Sequence, residues 1–112
     1  MFYTVITLFA LAAILGMVLL TFVLQGKETP KGVVFSHGSL AVAALILVII
    51  YVFKERPGPI EAIILFVIAA SAGLVMVIRD LSGKTVPKWL AIIHGLIAVT
   101  GLIFLLVFAF SK

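Results

Sequence analysis

The sequence has no cysteine and few charged residues. Of its 112 residues, 11% are charged and 65% are apolar, whereas a soluble globular domain has about 25% and about 45–50%. The absence of cysteine excludes disulfides, thiolate metal ligands, thiol nucleophiles and covalent haem attachment through Cys-x-x-Cys-His. The low charge excludes a soluble domain, and a net charge of +4 gives no basic face broad enough for nucleic acid. We therefore expect a protein whose solvent is the lipid bilayer.

The charged residues divide the chain into four long uncharged stretches, at 1–26, 32–53, 62–78 and 89–111. A helix needs about 20 residues to cross a hydrocarbon core of about 30 Å. The stretches are continuously apolar rather than alternating, which disfavours transmembrane strands. We predict an all-α transmembrane four-helix bundle, with helices at about 3–24, 33–53, 59–78 and 88–110.

The distribution of Lys and Arg predicts the orientation. One side carries five of them, and the other side carries three: Lys27, Lys31, Arg79, Lys84 and Lys88 against Lys54, Arg56 and Lys112. The positive-inside rule then places both termini outside the cytoplasm, and we expect a bacterial inner membrane. The first stretch has no basic n-region and exceeds the usual 7 to 15 apolar residues of a signal peptide, so we expect it to be retained.

The chain is a tandem duplication. A shift of 57 residues aligns 6–53 with 63–110 without a gap, and 19 of these 48 pairs are identical. We therefore divide a single transmembrane domain, 1–112, into repeat 1 (1–57) and repeat 2 (58–112). Each repeat has two crossings, which predicts a pseudo-twofold axis along the membrane normal. The aligned pairs Ala12/Gly16 and Ala69/Gly73 are interpreted as helix-packing residues only.

The motif Pro-Lys-x5-His-Gly opens the second and fourth predicted helices, and it places His37 and His94 inside the membrane. Seven residues from Pro30 to His37 correspond to about 10 Å of helix, so each imidazole is expected about 5 Å short of the midplane. An ionisable side chain at this depth is costly unless it is paired, and it indicates a functional site. The pseudo-twofold axis predicts that the two histidines lie opposite each other.

Small residues follow each histidine on the same helix face and would leave room for a flat ligand. Two neutral imidazoles facing each other form the ligand set of a six-coordinate b-type haem, whose propionates would lie near Lys31, Lys88 and Arg79. The predicted haem site contains His37, His94, Gly38, Gly95, Ala41, Ala98, Ala44, Gly101, Lys31 and Lys88.

A transmembrane four-helix bundle that contains His37-Gly38 and His94-Gly95 resembles the membrane b-type cytochromes. Members of that group often carry four histidines for two haems, so the resemblance implies one haem b in this chain, with iron bound by His37 and His94. It also implies electron transfer, with a quinone or a redox protein as the partner. Length and span count resemble the small multidrug resistance transporters as well, but the acidic residue that they need in helix 1 is absent from 1–26.

Two alternatives to a haem site remain for the histidines. The histidines can be packing residues that hydrogen-bond to Ser36, Ser71, Thr100 or a carbonyl, in a haem-free structural or accessory subunit. They can also form a proton or metal site, although two histidines lack the usual third zinc or copper ligand. A homo-oligomer and a membrane oxidoreductase are both compatible with the sequence, but every carboxylate lies at a membrane rim, which favours an electron carrier over an enzyme.

Overall fold

The computed structural model describes residues 2–111, and four α-helices account for most of them. The helices are α1 (Phe2–Leu24), α2 (Lys31–Lys54), α3 (Ile60–Leu81) and α4 (Lys88–Phe110). Each is long and apolar enough to cross a membrane. The predicted all-α transmembrane bundle is confirmed, and the chain is an integral membrane protein.

The predicted boundaries differ from the observed ones mainly at helix ends that carry charged residues. Helix α2 begins at Lys31 rather than at residue 33, and α3 continues to Leu81 rather than ending at residue 78. A helix continues into the interface when long charged side chains can extend from it towards water. The C-terminal Lys112, one of the three basic residues expected on the less positive side, lies outside the described residues.

Matching residues end α1 and α3. Gly26 and Gly83 have φ values of 70° and 76°, a left-handed conformation that glycine adopts without steric cost. The amide of the following lysine donates to a carbonyl of the last helical turn, from Lys27 to Phe22 and from Lys84 to Arg79, at 2.9 Å in both. This helix-ending geometry reverses the chain and starts the next helix.

The helices pack as a closed ring, in which each one contacts its two neighbours. Helix α1 contacts α2 and α4, and α3 contacts the same two helices. Helices α1 and α3 therefore lie on one diagonal of the bundle, and α2 and α4 lie on the other. The histidines belong to the second diagonal.

The buried residues gather at one end of the bundle. We call residues 2–12, 44–69 and 101–110 the aromatic half, and residues 13–43 and 70–100 the histidine half. The aromatic half contains a continuous core of Val5, Phe9, Ala44, Val48, Ala62, Phe66 and Leu105. In the histidine half Ala91 is the single buried residue. The two ends of one bundle are therefore packed very differently.

Candidate functional site: the histidine pair

The two predicted histidines meet across the bundle axis. His37 of α2 and His94 of α4 are half-buried, and their ring centroids are 6.2 Å apart with ring planes at 80°. Helices α2 and α4 are on opposite corners, so the imidazoles reach across the space between them. The structure thus brings together the two residues on which the predicted site depends.

Each imidazole is held by a backbone carbonyl of the preceding helix. Nδ1 of His37 donates to the carbonyl oxygen of Ala12 at 2.7 Å, and Nδ1 of His94 donates to that of Ala69 at 2.7 Å. A carbonyl only accepts hydrogen bonds, so Nδ1 carries the proton in both rings. A neutral imidazole then has its lone pair on Nε2. Metal-binding histidines are commonly oriented by such a bond from the non-ligating nitrogen.

Of the partners expected for packing histidines, the structure shows a carbonyl rather than a hydroxyl group. Ser71 and Thr100 each donate instead to the carbonyl four residues earlier in their own helices. Ser36 lies on the exposed surface of α2. The hydrogen bonds to Ala12 and Ala69 connect α1 to α2 and α3 to α4, and the same bond recurs 57 residues along the chain.

The small residues beyond the histidines have two different environments. Ala44 and Gly101 are buried in the aromatic half, and a Cβ atom on Gly101 would lie 3.2 Å from the ring of Phe66. The space beside these two residues therefore contains phenylalanine rather than an open slot. Gly38 and Gly95 instead have nothing within 4 Å of a Cβ position. Ala41 and Ala98, between these levels, are half-buried.

Sequence reasoning singled out none of the nine phenylalanines, but two of them form the layer next to the histidines. Phe9 of α1 and Phe66 of α3 stack face to face, with centroids 3.9 Å apart and planes at 6°. The available signal was the repeat alignment, in which Phe9 matches Phe66. The stacked pair closes the axis on the side away from the lysines.

The three predicted propionate partners are not equivalent. Lys31 forms an ion pair with Asp80 at 2.8 Å, and Thr29 also donates to that carboxylate, at 2.6 Å. Lys88 makes no ion pair within residues 2–111. Arg79 donates through Nε to the carbonyl of Thr85. Within residues 2–111, Lys88 and Arg79 therefore form no ion pair and remain available for an anionic group.

The donor set favours haem over a bare metal ion. Within residues 2–111 no three His, Cys, Asp or Glu side chains come together where they could hold a metal. Zinc and copper sites in proteins usually need at least three such ligands, whereas haem supplies four nitrogens itself and needs only axial ligands. His37 and His94, one from each of two opposite helices, would be the two ligands that the protein adds, and their ring centroids are 6.2 Å apart.

Two surface cavities are lined by residues other than the histidines. One, of about 300 Å³, is lined by Glu55, Arg56, Pro57, Phe108 and Ser111. The other, of about 440 Å³, is lined by Phe35, Ser36, Ser39 and Leu40.

Comparisons with protein-family models, curated proteins and solved structures find no match to this chain, so its function has to be inferred from the site itself.

Proposed function

We propose that this protein binds one b-type haem between α2 and α4 through His37 and His94, and that it transfers electrons in the membrane. The observation that carries the proposal is the histidine pair itself. Two imidazoles from opposite helices lie 6.2 Å apart, and both have Nδ1 bound to a carbonyl. Both Nε2 atoms are therefore available as ligands.

The packing of the bundle supports the placement of this group. The stacked Phe9/Phe66 pair blocks the axis on one side of the histidines, and the histidine half on the other side has almost no buried side chains. Segments with few buried contacts open at low free-energy cost. His37 and His94 would hold the group between them, and Lys88 and Arg79 would be the cations available to its propionates.

A haem held by His37 and His94 would supply one-electron chemistry. The residues of this chain would orient the axial ligands, exclude water with the phenylalanine layer and hold the charged edge near the interface. Helices α1–α4 provide the lipid-facing surface. We propose a quinone or a redox protein as the electron partner.

The first test is an absorption spectrum of the purified protein, oxidised and then reduced with dithionite, after expression with ample haem precursor. A sharp Soret band with resolved α and β bands, at about one haem per chain, is expected for bis-histidine ligation. His37→Ala and His94→Ala should each abolish the low-spin six-coordinate spectrum. Ser36→Ala and Ile93→Ala are matched controls, since these neighbouring positions are exposed and should leave the spectrum unchanged.

The haem-free structural role is the second candidate, and a specific observation favours it. Each histidine joins two adjacent helices through a hydrogen bond, and ring centroids 6.2 Å apart are also typical of a T-shaped packing pair. In that case the protein is colourless and does not take up added haemin. Replacing either histidine then only lowers the free energy of unfolding, by about 0.6–1.7 kcal/mol.

A further inference from the structure

We infer that Gly16 and Gly73 are positioning residues that set the tautomer and the orientation of His37 and His94. The sequence explains these glycines as helix-packing residues, but the structure gives them a more specific role. A Cβ atom on Gly16 would lie 3.0 Å from Cε1 of His37, and one on Gly73 would lie 3.2 Å from Cε1 of His94. Each glycine therefore lies directly against an imidazole ring.

The geometry of a helix explains why glycine is needed at this position. The amide of residue i donates to the carbonyl of residue i−4, so Gly16 follows Ala12 by one hydrogen-bonded turn. The Cα–Cβ bond of a helical residue tilts towards the N-terminus, and a side chain covers the turn that precedes it. A side chain at position 16 would therefore cover the carbonyl oxygen of Ala12.

Without that side chain, the Ala12 carbonyl can accept a second hydrogen bond from another helix. The imidazole of His37 fills the space above Gly16 and donates to this oxygen at 2.7 Å. Gly73, Ala69 and His94 repeat the arrangement, also at 2.7 Å. Both sites have the order Ala-x3-Gly on one helix and histidine 21 residues after that glycine.

The chemical consequence concerns the imidazole nitrogens. The carbonyl keeps the proton on Nδ1, and contact with the glycine restricts rotation of the ring, so Nε2 carries the free lone pair in both histidines. This tautomer is set by the carbonyl and the glycine and requires no bound cofactor. That Nε2 then serves a haem iron rests on the proposed function.

The test is ¹⁵N NMR of the full chain in lipid bilayers, with labelled histidine, before and after addition of haemin. Before haemin, both histidines should show a protonated Nδ1 and an unprotonated Nε2. Gly16→Ala should remove this pattern from His37 and leave His94 unchanged, and Gly73→Ala should do the reverse. Gly32→Ala is the matched control, since a Cβ atom there meets nothing within 4 Å, and it should preserve both signals.

A second measurement avoids any substitution of the glycines, which could prevent folding. In protein labelled with ¹³C at alanine carbonyls, His37→Ala should shift the Ala12 signal, because the carbonyl loses its second hydrogen bond. The inference would be overturned by a protonated Nε2 in the unsubstituted protein or by an unchanged tautomer in both Gly16→Ala and Gly73→Ala. An unchanged Ala12 signal in His37→Ala would also overturn it. If the tautomers are as expected but haemin does not bind, the proposed function fails and the inference stands.

Discussion

The two halves of this bundle pack the same four helices in different ways. In the aromatic half, Phe9 and Phe66 stack at the axis within a continuous buried core. In the histidine half, two imidazoles meet at the axis, and Ala91 is the single buried residue. The comparison indicates that the aromatic half holds the helices together, whereas the histidine half is loosely packed.

The physical basis of this difference is the solvent. Lipid is as apolar as a protein core, so helices in a membrane associate through close packing and hydrogen bonds rather than by expulsion of water. A half without tight packing therefore contributes little to association. The carbonyl bonds of His37 and His94 hold each hairpin together there, but they do not connect one hairpin to the other.

The largest effect that tests this division is expected from the phenylalanine pair. Phe66→Ala removes a buried ring from the stack and should lower the free energy of unfolding by about 3 kcal/mol, the low end for Phe→Ala in soluble cores. The low end applies because packing, rather than expulsion from water, is lost.

Phe35→Ala is the matched control in the histidine half, since Phe35 is 56% exposed and should change stability by less than about 0.5 kcal/mol. Reversible unfolding in mixed micelles would measure both variants. Equal losses in the two would show that the halves do not differ in their contribution to stability.

The predictable part of the fold was set by length and hydropathy. Four uncharged stretches gave four spans, and the Pro-Lys-x5-His-Gly motif, present twice, gave the histidine pair. The histidines predicted which faces of α2 and α4 point to the axis, but the rotation of α1 and α3 could not be predicted, because their core-facing and lipid-facing surfaces are both apolar. Phe9 and Phe66 therefore could not be distinguished from the seven other phenylalanines.

The rest of the site was hidden for different reasons. Helix packing is a sufficient explanation of the Ala-x3-Gly pairs, so nothing in the sequence predicts the contact between Gly16 and His37. Duplication also suggested that Lys31 and Lys88 are equivalent, whereas Asp80 pairs with Lys31. Asp80 aligns with Val23 in the repeat, so this ion pair has no counterpart that the repeat could reveal.

A second prediction uses the same substitution in both halves and expects opposite signs. Gly101→Ala places a Cβ atom 3.2 Å from the ring of Phe66, which would have to shift although it is buried and stacked against Phe9. This overpacking should cost about 1–3 kcal/mol. Gly38→Ala meets nothing within 4 Å and should add about 0.5–1 kcal/mol, because alanine loses less backbone entropy in a helix.

Unfolding of the two variants under identical micelle conditions compares them directly. The control for helix propensity is Gly32→Ala, which also meets open space. A stabilised Gly101→Ala variant would mean that the phenylalanine layer can shift, and the aromatic half would then be looser than the structure indicates.

The smallest effect is expected at the charged end of the histidine half. The side chains of Lys31 and Asp80 are 43% and 17% exposed, so their ion pair is partly covered but its lysine remains open to solvent. Asp80→Asn should therefore lower the free energy of unfolding by about 0–1 kcal/mol, with the loss shrinking as salt is added. Glu28→Gln is the control, because Glu28 is exposed and forms no ion pair within residues 2–111. A loss for Asp80→Asn as large as that for Phe66→Ala would contradict the division, because a polar contact at the rim would then connect the hairpins as strongly as the aromatic core does.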